Sequence, residues 1–277
     1  MGMQINTNIA ANNAYRNLNN TQNDLSKSLE KLSSGLRINR AADDAAGLAI
    51  SEGLKSQVGG LTVASRNAQD GISVVQTAEG ALTEVHSILQ RMRDLAVQAG
   101  NDSNNADSRT DIQTEVTQLT DELTRISGST NFNGINLLDG SNATLTFQVG
   151  AGSTAANDQI GVDLSSADIS AVVSALPAAG YADAATALTT IATLDTQIQA
   201  VSTARATLGA VQNRFESAVR SLNVSKENLS AASSRITDTD MAEEMVKYTR
   251  SNILSQAGTA MLAQANQSGQ GVLQLLR

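Results

Sequence analysis

Residues 54–96 read LKSQVGGLTVASRNAQDGISVVQTAEGALTEVHSILQRMRDLA and carry an apolar residue at every seventh position without a miss. This row consists of Leu54, Leu61, Ala68, Val75, Leu82, Leu89 and Ala96. A second row begins three residues later and is mostly small and apolar, so the two rows together form the narrow seam of a coiled coil. The pattern predicts one helix from about Asp44 to Ala99, roughly 80 Å long at 1.5 Å per residue.

The same seven-residue spacing returns near the other end of the chain. This row consists of Leu194, Val201, Leu208, Phe215, Leu222, Leu229 and Ile236. A shorter helix, after the polar stretch 101–107, carries Ile112, Val116, Leu119, Leu123 and Ile126. Because each helix has a single apolar stripe, the stripes must cover one another. We therefore predict an antiparallel bundle, a rod domain of residues 44–140 and 190–236, whose core is the larger residues of both rows together with Leu119.

Between the two helical regions, the sequence changes to the pattern of β-strands. Residues 144–149 and 160–164 alternate apolar and polar side chains. The dipeptides Asn133-Gly134 and Asp139-Gly140 are typical of tight turns. The pattern predicts a β-hairpin over about 143–164.

The rest of this variable segment, residues 141–189, is less informative. The stretch 150–158 is expected to be a loose loop, and the Ala-rich stretch 165–185 is a connector without a clear period. The alternative interpretation is that the whole segment is a surface insertion without regular structure. The predicted fold class is mainly α: a long antiparallel helical bundle, or coiled-coil rod, with a small β-hairpin region at the far tip.

The two chain ends, residues 1–43 and 237–277, each carry one apolar stripe among Asn, Gln, Ser and Ala. The stripe residues are Leu18, Leu25, Leu29, Leu32 and Leu36 in the first segment, and Ile253, Ala257, Met261, Leu262, Leu273 and Leu276 in the second. Neither segment can bury its stripe alone, and both are polar enough to become ordered only on association. We expect a terminal coiled-coil domain that assembles with other copies.

The composition excludes several classes of function. The chain of 277 residues has no cysteine, one histidine and one proline, and its aromatic content is 2%. Without cysteine it can form neither a disulfide nor a usual zinc site. The net charge of −8 includes no basic block, which argues against nucleic acid, and no apolar run is long enough to cross a membrane. We expect no catalytic, cofactor or metal site, and the start of the chain lacks the pattern of a signal peptide.

Several short motifs resemble the bacterial flagellin family. In the first half they are MQINTNIA at 3–10, LSSGLRIN at 32–39, ADDAAGLA at 42–49, QRMRDLAVQ at 90–98 and FNGINLL at 132–138. In the second half they are LGAVQNRF at 208–215, SRITDTD at 234–240, QAGTAMLAQANQ at 256–267 and the final LLR at 275–277. The likeness covers about 1–140 and 190–277, in order and on both sides of the variable middle.

The resemblance implies a non-enzymatic subunit that polymerises into the flagellar filament for swimming motility. The terminal segments would form the inner coiled-coil tube, and the short middle implies that the large outer domains of many flagellins are absent. The family is exported unfolded through the flagellar type III apparatus, which implies an extracellular location without a cleaved signal peptide. Implied partners are other copies of the chain, an export chaperone, the filament cap and the hook-junction proteins.

The resemblance also points to residues that host receptors of flagellin recognise. Gln90, Arg91, Leu95 and Glu115 stand where flagellins carry the surface bound by the flagellin-sensing Toll-like receptor of animals. The alternative is that Arg91 and Glu115 are ordinary exposed charges that mediate subunit contacts, and that Leu95 is a packing residue.

A second segment, residues 30–51, resembles the part of flagellin that plants sense. Its matching residues are Gly35, Asn39, Asp43, Asp44 and Gly47. The alternative for the acidic pair is structural, with Asp43 as the N-cap of the long helix and Asp44 favourable to its dipole.

Two other classes of protein share parts of this pattern. A minor hook-filament junction protein of related fold would have fewer family motifs at both ends. A soluble signalling coiled coil, such as a chemoreceptor-like hairpin, would continue its heptads through the tip and lack the β-rich middle.

Overall fold

The computed structural model describes residues 8–177 and 180–275, and the side chains of that range up to residue 267. The fold is mainly α, as predicted. The helices are α1 (Ile9–Ser34), α2 (Ala45–Ala99), α3 (Ala106–Ser129), α4 (Ala155–Asp158), α5 (Ile169–Ala175), α6 (Ala184–Thr237) and α7 (Met241–Leu275). The strands are β1 (Asn131–Phe132), β2 (Ile135–Asn136), β3 (Thr144–Gln148) and β4 (Gln159–Asp163). Part of the first motif, residues 3–7, lies outside the described residues.

The chain divides into two compact units. Unit 1 comprises residues 1–56 and 228–277, and unit 2 comprises residues 57–227. The borders lie inside α2 and α6, whereas the sequence places them near residues 43 and 237, where the helices end. The predicted variable segment 141–189 is part of unit 2, because its apolar side chains pack into the core of that unit.

In unit 2, α2 runs antiparallel to α6. Along α2, Gly71, Glu79 and Arg93 meet in turn Phe215, Arg205 and Asp195 of α6. The ion pairs measure 3.8 Å between Arg205 and Glu79 and 2.6 Å between Arg93 and Asp195. The residue numbers on α6 fall as those on α2 rise, so the two helices are antiparallel. Buried members of the two predicted rows are Val75, Leu82, Leu89, Leu194, Val201, Leu208 and Phe215. Leu61 and Leu222 of these rows are half-buried in unit 2, as is Leu119 on α3, and the half-buried Leu54, Leu229 and Ile236 belong to unit 1.

Two hairpins follow α3. The first, β1–β2, has a two-residue turn in which Asn133 and Gly134 take positive φ values of 51° and 80°, typical of a type I′ turn. The second pairs β3 with β4 antiparallel, with Thr144 opposite Asp163. This confirms the hairpin predicted from the alternation of apolar residues. The ring of Phe147 on β3 meets that of Phe215 edge-on, with centroids 5.5 Å apart.

The connector contains regular structure that the sequence does not reveal. Helix α5 packs against α3 and buries Ile169 and Val172. Its seven residues make only two turns, too few to show a helical period. Helix α6 begins at Ala184, earlier than expected, because Asp183 and Thr186 cap it reciprocally: Asp183 accepts from the Thr186 amide and Thr186 accepts from the Asp183 amide.

Gly71 lets the Phe215 ring approach α2 closely, so substitution of this glycine tests the packing of the two helices. A Cβ at this position would lie 2.7 Å from Cζ of Phe215, which is fully buried. We expect Gly71→Ala to lower the stability of unit 2 by about 1–2 kcal/mol, since overpacking outweighs the gain in helix propensity. The control is Gly80→Ala on the same helix, where a Cβ meets nothing within 4 Å; it should raise stability by up to about 1 kcal/mol. Thermal unfolding followed by circular dichroism measures both, and equal melting temperatures would contradict this packing.

Candidate functional site

The terminal helices α1 and α7 of unit 1 pair antiparallel. The Asn8 amide group donates to the carbonyl of Ala265 over 2.9 Å near one end of the pair. Near the other end, the Ser28 hydroxyl donates to a carboxylate oxygen of Glu244 over 2.6 Å. Asn8 is also the N-cap of α1, because its side-chain oxygen accepts from the Ala11 amide.

The residues that α1 and α7 turn toward each other follow a heptad pattern. On α1 the least exposed positions recur at alternating steps of three and four: Ala11, Ala14, Leu18, Thr21, Leu25, Ser28 and Leu32. On α7 they follow the same steps: Glu244, Tyr248, Ser251, Ser255, Gly258, Leu262 and Ala265. Such alternation defines the seam of a two-stranded coiled coil. We call these fourteen residues the tail seam.

Most of the seam residues of α7 are small, and this lets the two helices approach closely. A Cβ at Gly258 would lie only 3.2 Å from Cδ1 of Leu18, so the glycine makes room for the leucine. Tyr248 and Leu262 are the large seam residues of α7, and most of its other large apolar residues lie outside the seam. Met245, Val246, Ile253, Leu254 and Met261 are each at least half exposed.

The predicted assembly stripe therefore separates into two groups. Leu18, Leu25, Leu32 and Leu262 are half-buried in the tail seam, whereas Leu29, Ile253, Ala257 and Met261 are exposed. Leu36 lies beyond α1, in a β-bridge with Asp238. The side chains of Leu273 and Leu276 lie outside the described residues.

The exposed apolar residues of α7 form a connected surface. Met245, Val246, Ile253 and Leu254, with Thr249 and Arg250, line a shallow apolar depression on this helix. On α1, Ile9, Tyr15 and Leu29 are 49–59% exposed. We call these exposed apolar residues of α1 and α7, together with Met261, the outer apolar face. The depression on α7 is contiguous exposed apolar surface, of the kind that marks an interaction site.

Two short linkers join the tails to the long helices and are bonded to each other. The amide of Arg37 donates to the carbonyl of Thr237 over 2.6 Å, and that of Thr239 donates to Gly35 over 3.0 Å. The Arg37 guanidinium donates twice to the Ile236 carbonyl, at 2.7 and 3.2 Å. A cation is favourable there because the last carbonyls of α6 carry the negative end of the helix dipole.

The residues that resemble the plant-sensed segment shape the linker between α1 and α2. Asp44, and not Asp43, is the N-cap of α2, since its side chain accepts from the Gly47 amide over 2.8 Å. Asp43 instead closes a turn by accepting from the amides of Arg40 and Asn39 at 3.0 and 3.1 Å. The expected cap at Asp43 was wrong because either of two adjacent aspartates suits the position and the backbone turn decides between them.

Two glycines complete this linker. Gly35 ends α1 in the left-handed region at φ 73°, with its amide donating to Lys31. Gly47 is buried, and a Cβ there would meet the Asp44 carboxylate at 2.5 Å and Cδ1 of Ile38 at 2.8 Å. A larger residue at position 47 would therefore disturb the cap of α2.

The residues that resemble the animal-receptor surface lie partly in the core of unit 2. Arg91 on α2 forms an exposed ion pair with Glu115 on α3 over 2.7 Å. Gln90 is exposed and lies 3.0 Å from the His86 ring. Leu95, however, is only 2% exposed, so it packs between helices.

Within residues 8–177 and 180–267, no cluster of three or more His, Asp or Glu side chains converges to hold a metal ion. A search of the same part of the chain finds no helix with the length and hydropathy needed to cross a membrane. The surface that the geometry does offer is the outer apolar face of paired helices. Long helices, arranged in one unit that covers its own apolar residues and one unit that exposes them, are typical of a structural protein.

Comparison with known proteins places this architecture in a family. Models described as the bacterial flagellin N-terminal and C-terminal helical regions match residues 5–143 and 191–276. The flagellin of Halalkalibacterium halodurans is 54% identical over 275 residues, with 99% of this chain and 100% of the relative covered. The flagellin of Bacillus subtilis is 50% identical over 305 residues with the same coverage.

A solved structure supports the same assignment. The crystal structure of Bacillus cereus flagellin superposes with a TM-score of 0.50 at 36% identity, covering 57% of this chain and 88% of that chain. The chain belongs to the bacterial flagellin family. It is a structural subunit of the flagellar filament, outside the cell.

The burial of Leu95 gives a direct test of its role. We expect Leu95→Ala to cost about 2–5 kcal/mol of the stability of unit 2, because it leaves a cavity between helices. The control is Val97→Ala, two residues further on α2, where the side chain is 51% exposed; it should change stability by less than about 0.5 kcal/mol. Urea unfolding of both variants measures the difference. A Leu95→Ala chain as stable as the control would place Leu95 on the surface.

The turn at Asp43 predicts an acid-sensitive linker. The amides of Arg40 and Asn39 stabilise the carboxylate and hold the pKa of Asp43 below its ordinary value of 3.8. The pKa of Asp43 is thus lower in the folded chain than in the unfolded chain. The carboxylate stabilises the turn at pH values above its pKa in the unfolded chain, and this contribution is lost as the pH falls through its pKa in the folded chain. Carboxyl carbon NMR of the folded chain should give a midpoint for Asp43 below 3.8. A midpoint at or above that value would contradict the two hydrogen bonds.

Proposed function

We propose that the chain builds the flagellar filament by burying the outer apolar face of α1 and α7 against sister copies. The observation that carries the proposal is the separation of apolar residues on α7. Its small residues face α1 within the chain, whereas Met245, Ile253, Leu254 and Met261 are exposed. These large side chains therefore remain available for contacts between chains.

The energetic case rests on the size of these side chains. Fully burying one large apolar side chain contributes about 1.5–3 kcal/mol. Ordering a tail residue costs about 1–2 kcal/mol for its backbone alone. On the α7 side of the tail seam, Ser251, Ser255 and Gly258 offer little apolar area to offset that cost, and only Tyr248 and Leu262 are large. Stable tails therefore need the additional burial that neighbouring subunits provide, which supports ordering of the tails on association.

The same physics restrains assembly before export. Because α1 and α7 pair only weakly in an isolated subunit, that subunit presents little stable interface, and a filament grows only where earlier subunits already offer one. Growth into a filament also requires that the face bind a different surface of the next copy, because such head-to-tail contacts need not close.

The route and the accessory partners follow from the family and are part of the proposal. The chain would pass unfolded through the flagellar type III apparatus, for which the absence of cysteine and the single proline are favourable. An export chaperone, the filament cap and the hook-junction proteins would contact it in turn. The chain would act as a structural element and not as an enzyme.

Ile253 tests the outer apolar face without disturbing the tail seam. It is 61% exposed, so Ile253→Asp should leave α1 and α7 paired and yet abolish filament growth, because a carboxylate cannot be buried there without a partner. The matched control, Ile253→Met, keeps an apolar side chain and should assemble. Negative-stain electron microscopy after seeding with ammonium sulfate measures filament length.

Leu25→Asp provides a second comparison at the tail seam. Leu25 is half-buried between α1 and α7, so this change should lower tail helicity as well as assembly. Filaments of normal length from the Ile253→Asp chain would refute an assembly role for the outer apolar face.

A further inference from the structure

Glu244 is an acidic residue buried in the tail seam. Its side chain is 6% exposed, and one carboxylate oxygen accepts from the Ser28 hydroxyl over 2.6 Å. The other oxygen lies 3.7 Å from the Lys247 ammonium, one turn further along α7. A buried carboxylate is costly unless hydrogen bonds and a counter-charge compensate it. The position of Glu244 in the first turn of α7 adds the favourable end of the helix dipole.

Ser28 occupies the matching position on α1. It is 6% exposed and lies in the tail seam between Leu25 and Leu32. If α7 slipped along α1 by one turn, Glu244 would face one of these leucines and its carboxylate would be buried without a donor. A slip of seven residues would bring it to Thr21, whose hydroxyl already donates to the Asn17 carbonyl over 2.9 Å.

The rest of the tail seam specifies the register weakly. Ser251, Ser255 and Ala265 differ little in size, so sliding them past α1 changes few apolar contacts, and the main steric preference is the close approach of Gly258 to Leu18. In coiled coils of this kind, one buried polar pair can set the register at some cost in stability.

We propose that the hydrogen bond between Ser28 and Glu244 sets the register of α1 against α7. The register decides where the residues of the outer apolar face stand relative to one another. Each one-turn slip would move Ile253 and Met261 by about 5.4 Å relative to Tyr15 and Leu29. The pair would thus determine which surface a subunit presents to the next copy. This last consequence rests on the proposed function of the outer apolar face, whereas the register itself does not.

Disulfide trapping measures the register directly. Since the natural chain has no cysteine, any disulfide must join the two introduced residues. A Cβ at position 258 would lie 3.8 Å from the Cβ of Leu18, a typical separation for a disulfide. Leu18→Cys with Gly258→Cys therefore reports the observed register. Leu18→Cys with Leu262→Cys reports a slip of one turn, and Leu18→Cys with Ser251→Cys reports a slip of one heptad. Intrachain disulfides are scored by gel mobility, on the isolated chain and on assembled filaments.

Each cysteine pair is placed in four backgrounds. These are the natural chain, Ser28→Ala with Glu244→Leu, Glu244→Gln, and the control Glu243→Leu. Glu243 lies in the same turn of α7 but is exposed and pairs only with Lys247, over 2.9 Å. In Glu244→Gln the amide oxygen can still accept from Ser28, so this variant tests whether the hydrogen bond alone suffices.

We expect the yield of the disulfide that reports the observed register to exceed the yield of each slipped-register disulfide by roughly 100-fold. This holds for the natural chain, for Glu244→Gln and for the control. In Ser28→Ala with Glu244→Leu, the slipped disulfides should rise to a comparable yield while helicity by circular dichroism is unchanged. A doubly substituted chain that still crosslinks only at position 258 would overturn the proposal. So would a doubly substituted chain that crosslinks nowhere, since the pair would then supply stability and not register.

The assembly assay separates this proposal from the proposed function. If the register shifts and filaments still grow normally, the register role of Ser28 and Glu244 stands and the role of the outer apolar face fails. If Ser28→Ala with Glu244→Leu leaves the register unchanged and Ile253→Asp blocks filament growth, the role of the outer apolar face stands and the register role of Ser28 and Glu244 fails.

Discussion

The close approach of α1 and α7 over small side chains is the contact on which the function depends. Because Ser251, Ser255 and Gly258 occupy much of the tail seam, with Tyr248 and Leu262 as its large members on α7, most of the large apolar residues of α7 take no part in the pairing. Ile253 and Met261 are left exposed, at 61% and 65%. Under the proposed function this seam gives a weak pair, and burial of the outer apolar face against neighbouring copies completes its stability.

Unit 2 shows the opposite use of the same heptad pattern. There the seam holds large residues such as Leu82, Leu89 and Leu208, all at most 1% exposed. Phe215 fills the space above Gly71 and meets Phe147 of the hairpin, so helices and strands share one core. Unit 2 therefore has a hydrophobic core of its own. One chain thus contains a well-packed body and a pair of tails that expose apolar residues, which suits the proposed assembly through the tails.

Sequence reasoning succeeded where many residues repeat one signal. The heptads of α2 and α6 extend over seven repeats, and the Asn133-Gly134 turn and the strand alternation are equally direct. It failed where the signal is short or where two residues compete. Helix α5 has too few turns to show a period, and only the backbone turn shows that Asp44 caps α2. The seam of α7 was missed because Ser and Gly do not look like core residues, whereas the burial of Leu95 agrees with the alternative interpretation of that residue as a packing residue.

Oxidation of methionines by dilute peroxide tests the central claim most directly, because the described part of the chain carries them both inside and outside the core. Met245 and Met261 are 50% and 65% exposed in the single chain, whereas Met92 is 1% exposed in unit 2 and serves as the internal reference. The account predicts fast oxidation of Met245 and Met261 in the isolated subunit and strong protection of both in the filament, with Met92 slow in each. Equally fast oxidation of Met245 and Met261 in subunit and filament would show that sister copies do not cover the outer apolar face.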